Sequence, residues 1–236
     1  MLRSDFEILY EEAAYLAVNK PAGLLTQAPQ GIDSLESRVK AYLLEKEKER
    51  QNYLGVPHRL DRPVSGVILF GKYSRATRYL SEQFEKRQID KTYWAVVEGT
   101  VQPQTGTWID FMRKVPDKPL AEIVAPIKPD AREAILHYVV LGYFELGGRA
   151  ATHLEIKLET GRMHQIRLQC STHNHPILGD ATYGSDIPFG DHFAEERCRE
   201  IALHARSIVF LAPTTRHPVN LIAPLPTLWN KIIVNS

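Results

Sequence analysis

The stretch Pro57-His58-Arg59-Leu60-Asp61-Arg62-Pro63-Val64-Ser65-Gly66 sets one carboxylate, Asp61, among three side chains able to carry positive charge: His58, Arg59 and Arg62. A carboxylate can act as a nucleophile or remove a proton, provided that it stays ionised. Burial opposes ionisation and a contacting cation favours it. Pro57, Pro63 and Gly66 shape the backbone into a loop, and the apolar run Val67-Ile68-Leu69-Phe70 that follows reads as a buried strand. A rigid loop feeding a core strand is a common mount for a reacting group. The same residues also suit a surface turn with a solvated salt bridge, and the loop alone leaves both readings open.

A second candidate lies on a helix. Gly161 ends a strand, and residues 162–173 read as helical, with Met163, Ile166, Arg167 and Cys170 on one face and Arg162, Gln165 and Gln169 on the other. Arg167 then sits within an apolar stripe. A buried guanidinium must be paired, and Asp61 is the natural candidate for its carboxylate. His164, His173 and His175 invite a metal reading. The His173-x-His175 spacing is short, however, no acid stands at ligand spacing, and neither Cys170 nor Cys198 joins them, so no metal is expected. Glycine-rich phosphate loops are absent, so no nucleotide cofactor is expected.

The elements that must carry these residues alternate between helix and strand. Leu16-Ala17-Val18 reads as a short strand. Asp33-Ser34-Leu35-Glu36 has capping-box spacing and opens a helix with Leu35, Val39, Tyr42 and Leu43 on its apolar side. Ser74 reads as the N-cap of a second helix running to about Arg87, with Ala76, Leu80 and Phe84 on one face. Thr92–Val97 is an alternating strand that puts Tyr93, Ala95 and Val97 on one side. Five prolines between 101 and 131 suggest short edge strands and turns. Residues 134–141 and 152–159 read as strands of a hairpin around Gly147-Gly148. Residues 185–200 read as a polar surface excursion, 202–211 as a last strand, and Leu228 and Trp229 as the docking residues of a short final helix.

Composition narrows the class. The chain has 236 residues and is 44% hydrophobic, as expected of a globular protein with a core. No apolar run approaches the roughly 20 residues of a membrane span, and the acidic start lacks a signal-peptide pattern. A cytoplasmic protein with two free thiols is expected. The 29 Lys+Arg nearly balance 28 Asp+Glu, unlike many nucleic-acid binders. Between His58 and Lys91, however, Arg59, Arg62, Lys72, Arg75, Arg78, Lys86, Arg87 and Lys91 outnumber Asp61, Glu82, Glu85 and Asp90, so a local basic face competes with a salt-bridged helix surface.

The loop HRLDRPVSG resembles the catalytic-loop signature of the RluA-type pseudouridine synthases, which isomerise uridine in RNA to its C-glycoside. Three further stretches are similar to that family's motifs, in its order: Asn19-Lys20-Pro21-Ala22-Gly23-Leu24, then Lys91 to Gly99, then Gly161 to Arg167 with His175 to Asp180 and Tyr183-Gly184. The resemblance implies an α+β fold, with a central, mostly antiparallel mixed sheet flanked by helices and an RNA-binding cleft. It also implies a single catalytic domain over 1–236 without a separate N-terminal RNA-binding domain, a monomer acting on structured tRNA or rRNA, and no cofactor. Asp61 matches the family's catalytic aspartate. Tyr93 matches the tyrosine that stacks on the target base, and Arg167 the arginine that aims the aspartate. Leu203 maps onto an apolar residue beneath the base. Arg59 matches a side chain that enters the RNA stack, and Arg62 a phosphate contact. His58 is expected on the substrate side, and His164 and Gln165 match family residues that are structural or touch RNA, with substrate binding the expectation here. Two rivals remain: a non-catalytic RNA-binding or RNA-folding factor on the same fold, and a hydrolase that would release uracil.

Overall fold

The computed structural model describes residues 6–46, 53–190 and 199–233. Among these the strands are β1 Glu7–Glu11, β2 Tyr15–Lys20, β3 Ser65–Gly71, β4 Asp90–Glu98, β5 Thr105–Lys114, β6 Ala121–Ile123, β7 Arg132–Leu146, β8 Arg149–Leu158, β9 Leu203–Leu211 and β10 Pro218–Ile222. The helices are α1 Leu35–Lys46, α2 Ser74–Glu85, α3 Gln165–Thr172 and α4 Thr227–Ile233, with a single 3₁₀ turn at Ala181–Tyr183. The class is α+β, and the strand pairs described below are antiparallel. No helix among the described residues is long and apolar enough to cross a membrane. The chain divides into two compact units, one holding residues up to Lys91 together with 205–226, the other holding 92–190, 199–204 and 227 onward.

In the first unit β2 pairs with β1 on one side and β3 on the other. Every residue of β3 is buried, as its apolar run demands. The β2–β3 register sets Lys20 opposite Gly66, at the exit of the Asp61 loop. Gly66 has φ +118, and a Cβ there would collide with the backbone of Ala205 on β9, so only glycine admits this approach. β10 pairs with the end of β9, from Ser207 to Leu211. The amide of buried Gln83 on α2 exchanges two hydrogen bonds with the Leu211 backbone, tying that helix to the strand. The cap of α1 differs from expectation by one residue. Ser34 and Ser37 exchange reciprocal side-chain-to-backbone bonds at 3.2 and 3.0 Å, while Asp33 instead pairs with Arg38. Ser74 opens α2 rather than capping it, since Tyr73 holds the extended cap position.

The second unit orders its strands β4-β8-β7-β5-β6. Tyr93, Ala95 and Val97 are buried and face Ile156, Leu154 and Thr152 across the β4–β8 ladder, which bears out their alternation. Gly147 and Gly148, with φ +57 and +78, close the β7–β8 hairpin, whose arms outrun the expected strands. Two expectations fail here. β5 is ten residues long and lies between β7 and β6, so it is an interior strand; its prolines fall outside it, which leaves the ladder intact. α3 is buried on all sides from Gln165 to Cys170, both glutamines included, whereas Met163 before it and Thr172 at its end are exposed. Two-faced periodicity misleads where polar side chains are satisfied inside. Ile187 and Phe189 are also buried, so the excursion after Ser185 begins in the core, and 191–198 lies outside the described residues. Trp229 docks as expected, at 1% exposure.

Candidate active site

The Asp61 loop is clamped from behind, residue by residue. Thr26 Oγ1 donates to the Leu60 carbonyl at 2.8 Å and accepts from the Leu60 amide at 3.2 Å. The Gly23 amide donates to the Arg62 carbonyl at 2.9 Å, and Arg62 Nε donates to the Gly23 carbonyl at 2.8 Å. The Val64 amide closes the turn onto the Asp61 carbonyl at 3.1 Å. These bonds fix the Cα positions on both sides of a partly exposed Asp61.

Under the clamp sits Lys20, wholly buried. Its ammonium donates to the carbonyls of Pro21, Leu24 and Arg62 at 3.0, 2.7 and 3.1 Å. Burial pushes its pKa down to about 7, the charge of Asp61 opposing that fall and Arg62 adding to it. The sequence reading passed over this residue. The available signal was a lysine ending a strand of buried character, immediately before the Pro21–Gly23 turn. Such a side chain must turn inward or leave the strand end unsupported.

The three expected cations around Asp61 divide into different roles. His58 Nε2 accepts the Leu69 amide at 2.9 Å, and the ring stacks on Phe84 at 4.3 Å. Burial, and then the nearby Lys91 charge, push its pKa down to about 3, so His58 is neutral. It braces the loop against β3 and α2. Arg62 commits Nε to Gly23. Arg59 is exposed.

The second cluster belongs to the other unit. Arg167, at 5% exposure, donates from Nε to Asp180 Oδ2 at 2.7 Å and from Nη2 to Asp180 Oδ1 at 2.8 Å. Its guanidinium lies 5.0 Å from the centre of the Tyr183 ring. The Tyr183 hydroxyl accepts the Ala121 amide at 3.0 Å and shares a 2.8 Å hydrogen bond with His164 Nδ1. His164 adopts φ +54 at the start of α3, which turns its ring toward that hydroxyl. The sequence asked for one carboxylate beside Arg167 and named Asp61. Asp180, which it passed over, fills Nε and Nη2. That acid lies thirteen residues beyond Arg167, after the helix has ended, so helical periodicity could not find it.

Tyr93 and Leu203 are buried at 8% and 3% exposure. The Gln165 amide is fully used by the fold: Oε1 accepts from the Thr160 hydroxyl and the Arg162 amide, and Nε2 donates to the Ile135 carbonyl and Gln169 Oε1. His173 stacks on Trp108 at 4.5 Å and meets Asp110 at 3.1 Å, while His175 Nδ1 meets the Glu98 carbonyl at 2.8 Å. Cys170 is a buried free thiol whose pKa is raised by burial; Cys198 lies outside the described residues.

A clamped aspartate loop and a buried arginine cluster are the features that the four sequence motifs encode. A family model described as RNA pseudouridylate synthase matches residues 14–172, which holds both Asp61 and Arg167. The chain belongs to the RNA pseudouridylate synthase family. It is 30% identical to the tRNA pseudouridine synthase C of Vibrio cholerae over 96% of this chain and 94% of that one. It is 33% identical to the protein of the same name from Haemophilus ducreyi, over 97% and 94%. Among solved structures it is similar in fold to human RNA pseudouridylate synthase domain containing 4, with a TM-score of 0.75 at 22% identity and coverage of 94% of this chain and 90% of that one. As a pseudouridine synthase, the chain catalyses an isomerisation: the N1–C1′ glycosidic bond of a uridine breaks, C5 bonds to C1′, the C5 proton leaves, and N1 takes up a proton.

Proposed function

We propose that this synthase isomerises a uridine of structured tRNA, with Asp61 as the reacting carboxylate, acting in the cytoplasm as a monomer without metal or cofactor. The observation that carries the reading is the clamp. Lys20, Thr26 and Gly23 hold the backbone on both sides of Asp61, and such preorganisation serves a group that must meet one atom of a bound substrate. Asp61 attacks C1′ or C6 of the uridine, or assists proton removal. Tyr93 stacks on the base and Leu203 packs beneath it. Arg167 supplies positive charge. Arg59, exposed on the loop, enters the RNA stack as the base leaves it; a planar guanidinium stacks on bases and offers several donors to an orphaned partner. The relatives named as tRNA enzymes over nearly their whole length support the substrate class.

The test is Asp61→Asn on a tRNA transcript tritiated at uridine C5. Tritium release falls to background while binding to the RNA survives, because affinity rests mainly on phosphate contacts elsewhere. Turnover within about tenfold of wild type, only ~1.4 kcal/mol in barrier, would remove Asp61 from this role. Release of free uracil would favour a hydrolase. Carbodiimide mapping of RNA from cells with and without the gene identifies the uridine.

A further inference from the structure

The basic run between His58 and Lys91 leaves one cation in an unusual setting. Lys91 sits at the start of β4, two positions before Tyr93. Its ammonium lies 5.8 Å from the centre of the Phe84 ring. Phe84 in turn stacks on His58 at 4.3 Å, and His58 is part of the Asp61 loop. The Lys91 charge is close enough to that loop to help keep His58 neutral.

Lys91 is largely shielded from water, and burial lowers its pKa. Among the described residues Nζ makes no hydrogen bond or ion pair; it lies over the face of Phe84. Its neighbours in sequence do not answer the charge. Asp90 points to the opposite side of the strand by alternation, and both Asp90 and Glu85 are exposed. A poorly hydrated ammonium without a carboxylate is a cost to the folded protein. A methionine or leucine would cover Phe84 without it. The setting therefore awaits an anion, and it lies beside the loop that carries Asp61. Phosphodiesters are the ionised groups of RNA at neutral pH, and uracil is uncharged.

We propose that Lys91 binds a backbone phosphate of the substrate RNA close to the target uridine. This deepens the reading of the Asp61 site as an RNA site and rests on it. The flat face of Phe84, backed by His58, holds the ammonium in place, so the phosphate meets a donor already fixed in position. A phosphate contact gives register rather than sequence choice, so Lys91 helps to set which nucleotide stands opposite Asp61.

The experiment measures affinity of wild type, Lys91→Met and Lys91→Arg for the tRNA transcript across a salt series. Loss of one phosphate contact makes the slope of log affinity against log salt shallower by about 0.9 for duplex or ~0.7 for single-stranded RNA. That change is expected for Lys91→Met, and Lys91→Arg should restore the slope. A purely structural lysine would lower the melting temperature and leave the slope unchanged, which overturns the proposal. A second readout needs no loss of the side chain. In wild-type protein, NMR of the Lys91 Cε resonance, assigned with Lys91→Arg, should show the amine titrating at higher pH once RNA is added, since a neighbouring phosphate favours the charged form. An unmoved midpoint overturns the proposal. The two readings fail separately. A changed slope with no tritium release by wild type upholds the phosphate contact and rejects uridine isomerisation. Normal wild-type release with an unchanged slope does the reverse.

Discussion

Each unit of this protein buries a cation near a family motif, and the two solve the same electrostatic problem differently. Arg167 is met by a carboxylate, with both oxygens of Asp180 engaged and the pair almost wholly inaccessible. Lys20 is met by three backbone carbonyls and senses Asp61 only as a nearby charge. The first solution is a bidentate ion pair between two buried side chains. The second is a charge held by dipoles, with its pKa pushed down to about 7. The guanidinium's rigid fork suits a bidentate partner, whereas the compact ammonium, with three donors, suits a nest of carbonyls. Each motif's choice of Arg or Lys follows from which partner its fold supplies.

The sharpest way to break the comparison is at Asp180. Asp180→Asn removes the charge that meets Nε and Nη2 of Arg167, and Arg167→Met leaves a buried carboxylate. Each should lower unfolding free energy by about 3–5 kcal/mol, read from urea titrations. The double change Arg167→Met with Asp180→Leu should recover most of that loss, because replacing both members by apolar groups is often tolerated. If Asp180→Asn cost less than about 1 kcal/mol, the pair would not be what holds α3 to the Asp180 turn.

A smaller effect is expected at Lys20. Lys20→Met leaves carbonyl dipoles unpaired rather than a full charge, a loss of about 1–3 kcal/mol. The pH dependence sharpens the contrast. The folded-state pKa, about 7, lies below the ordinary lysine value. Between about 7 and ~10.4 the folded chain therefore holds fewer protons than the unfolded chain, and this group's contribution to stability rises with pH across that window. The difference in unfolding free energy between wild type and Lys20→Met should grow from near-neutral to alkaline pH. A flat Lys20 difference would mean that the three carbonyls keep the ammonium fully charged.

How much of this was legible in the sequence depended on which interaction did the work. The strands of β3 and β4 follow from apolar runs and alternation, both local patterns. Asp61, Tyr93 and Arg167 were singled out because they stand inside dense motifs. Asp180 stood inside one too, but its role depends on a turn beyond the end of α3, and no local period predicts that. Lys20 was hidden by a general expectation that lysines face water; only its three carbonyls explain the exception. Gln165 and Gln169 misled in the opposite direction. They read as a polar face, yet their amides pair with Thr160, Ile135, Trp108 and Asp110 inside the unit.

The smallest effect tests a third way of filling a polar position behind the site, a neutral acceptor. His58 Nε2 accepts the amide of Leu69, a residue with no exposed surface. Protonation would turn that acceptor into a donor facing another donor. Burial first, and the Lys91 charge second, lower the His58 pKa to about 3, while the unfolded chain titrates near the ordinary value of about 6.5. The sign is that of a group whose folded pKa is depressed. Between about 6.5 and 3 the unfolded chain binds a proton that the folded chain refuses, so stability falls as the solution is acidified through that window. The slope cannot exceed about 1.4 kcal/mol per pH unit from one group. His58→Gln keeps an accepting oxygen for the Leu69 amide but does not titrate. Comparing urea midpoints at about pH 7 and about pH 5, wild type should lose ~1–2 kcal/mol more than His58→Gln. Equal losses would show that His58 takes up its proton in the folded protein, and the Asp61 loop would then carry a cation where a neutral brace is described above.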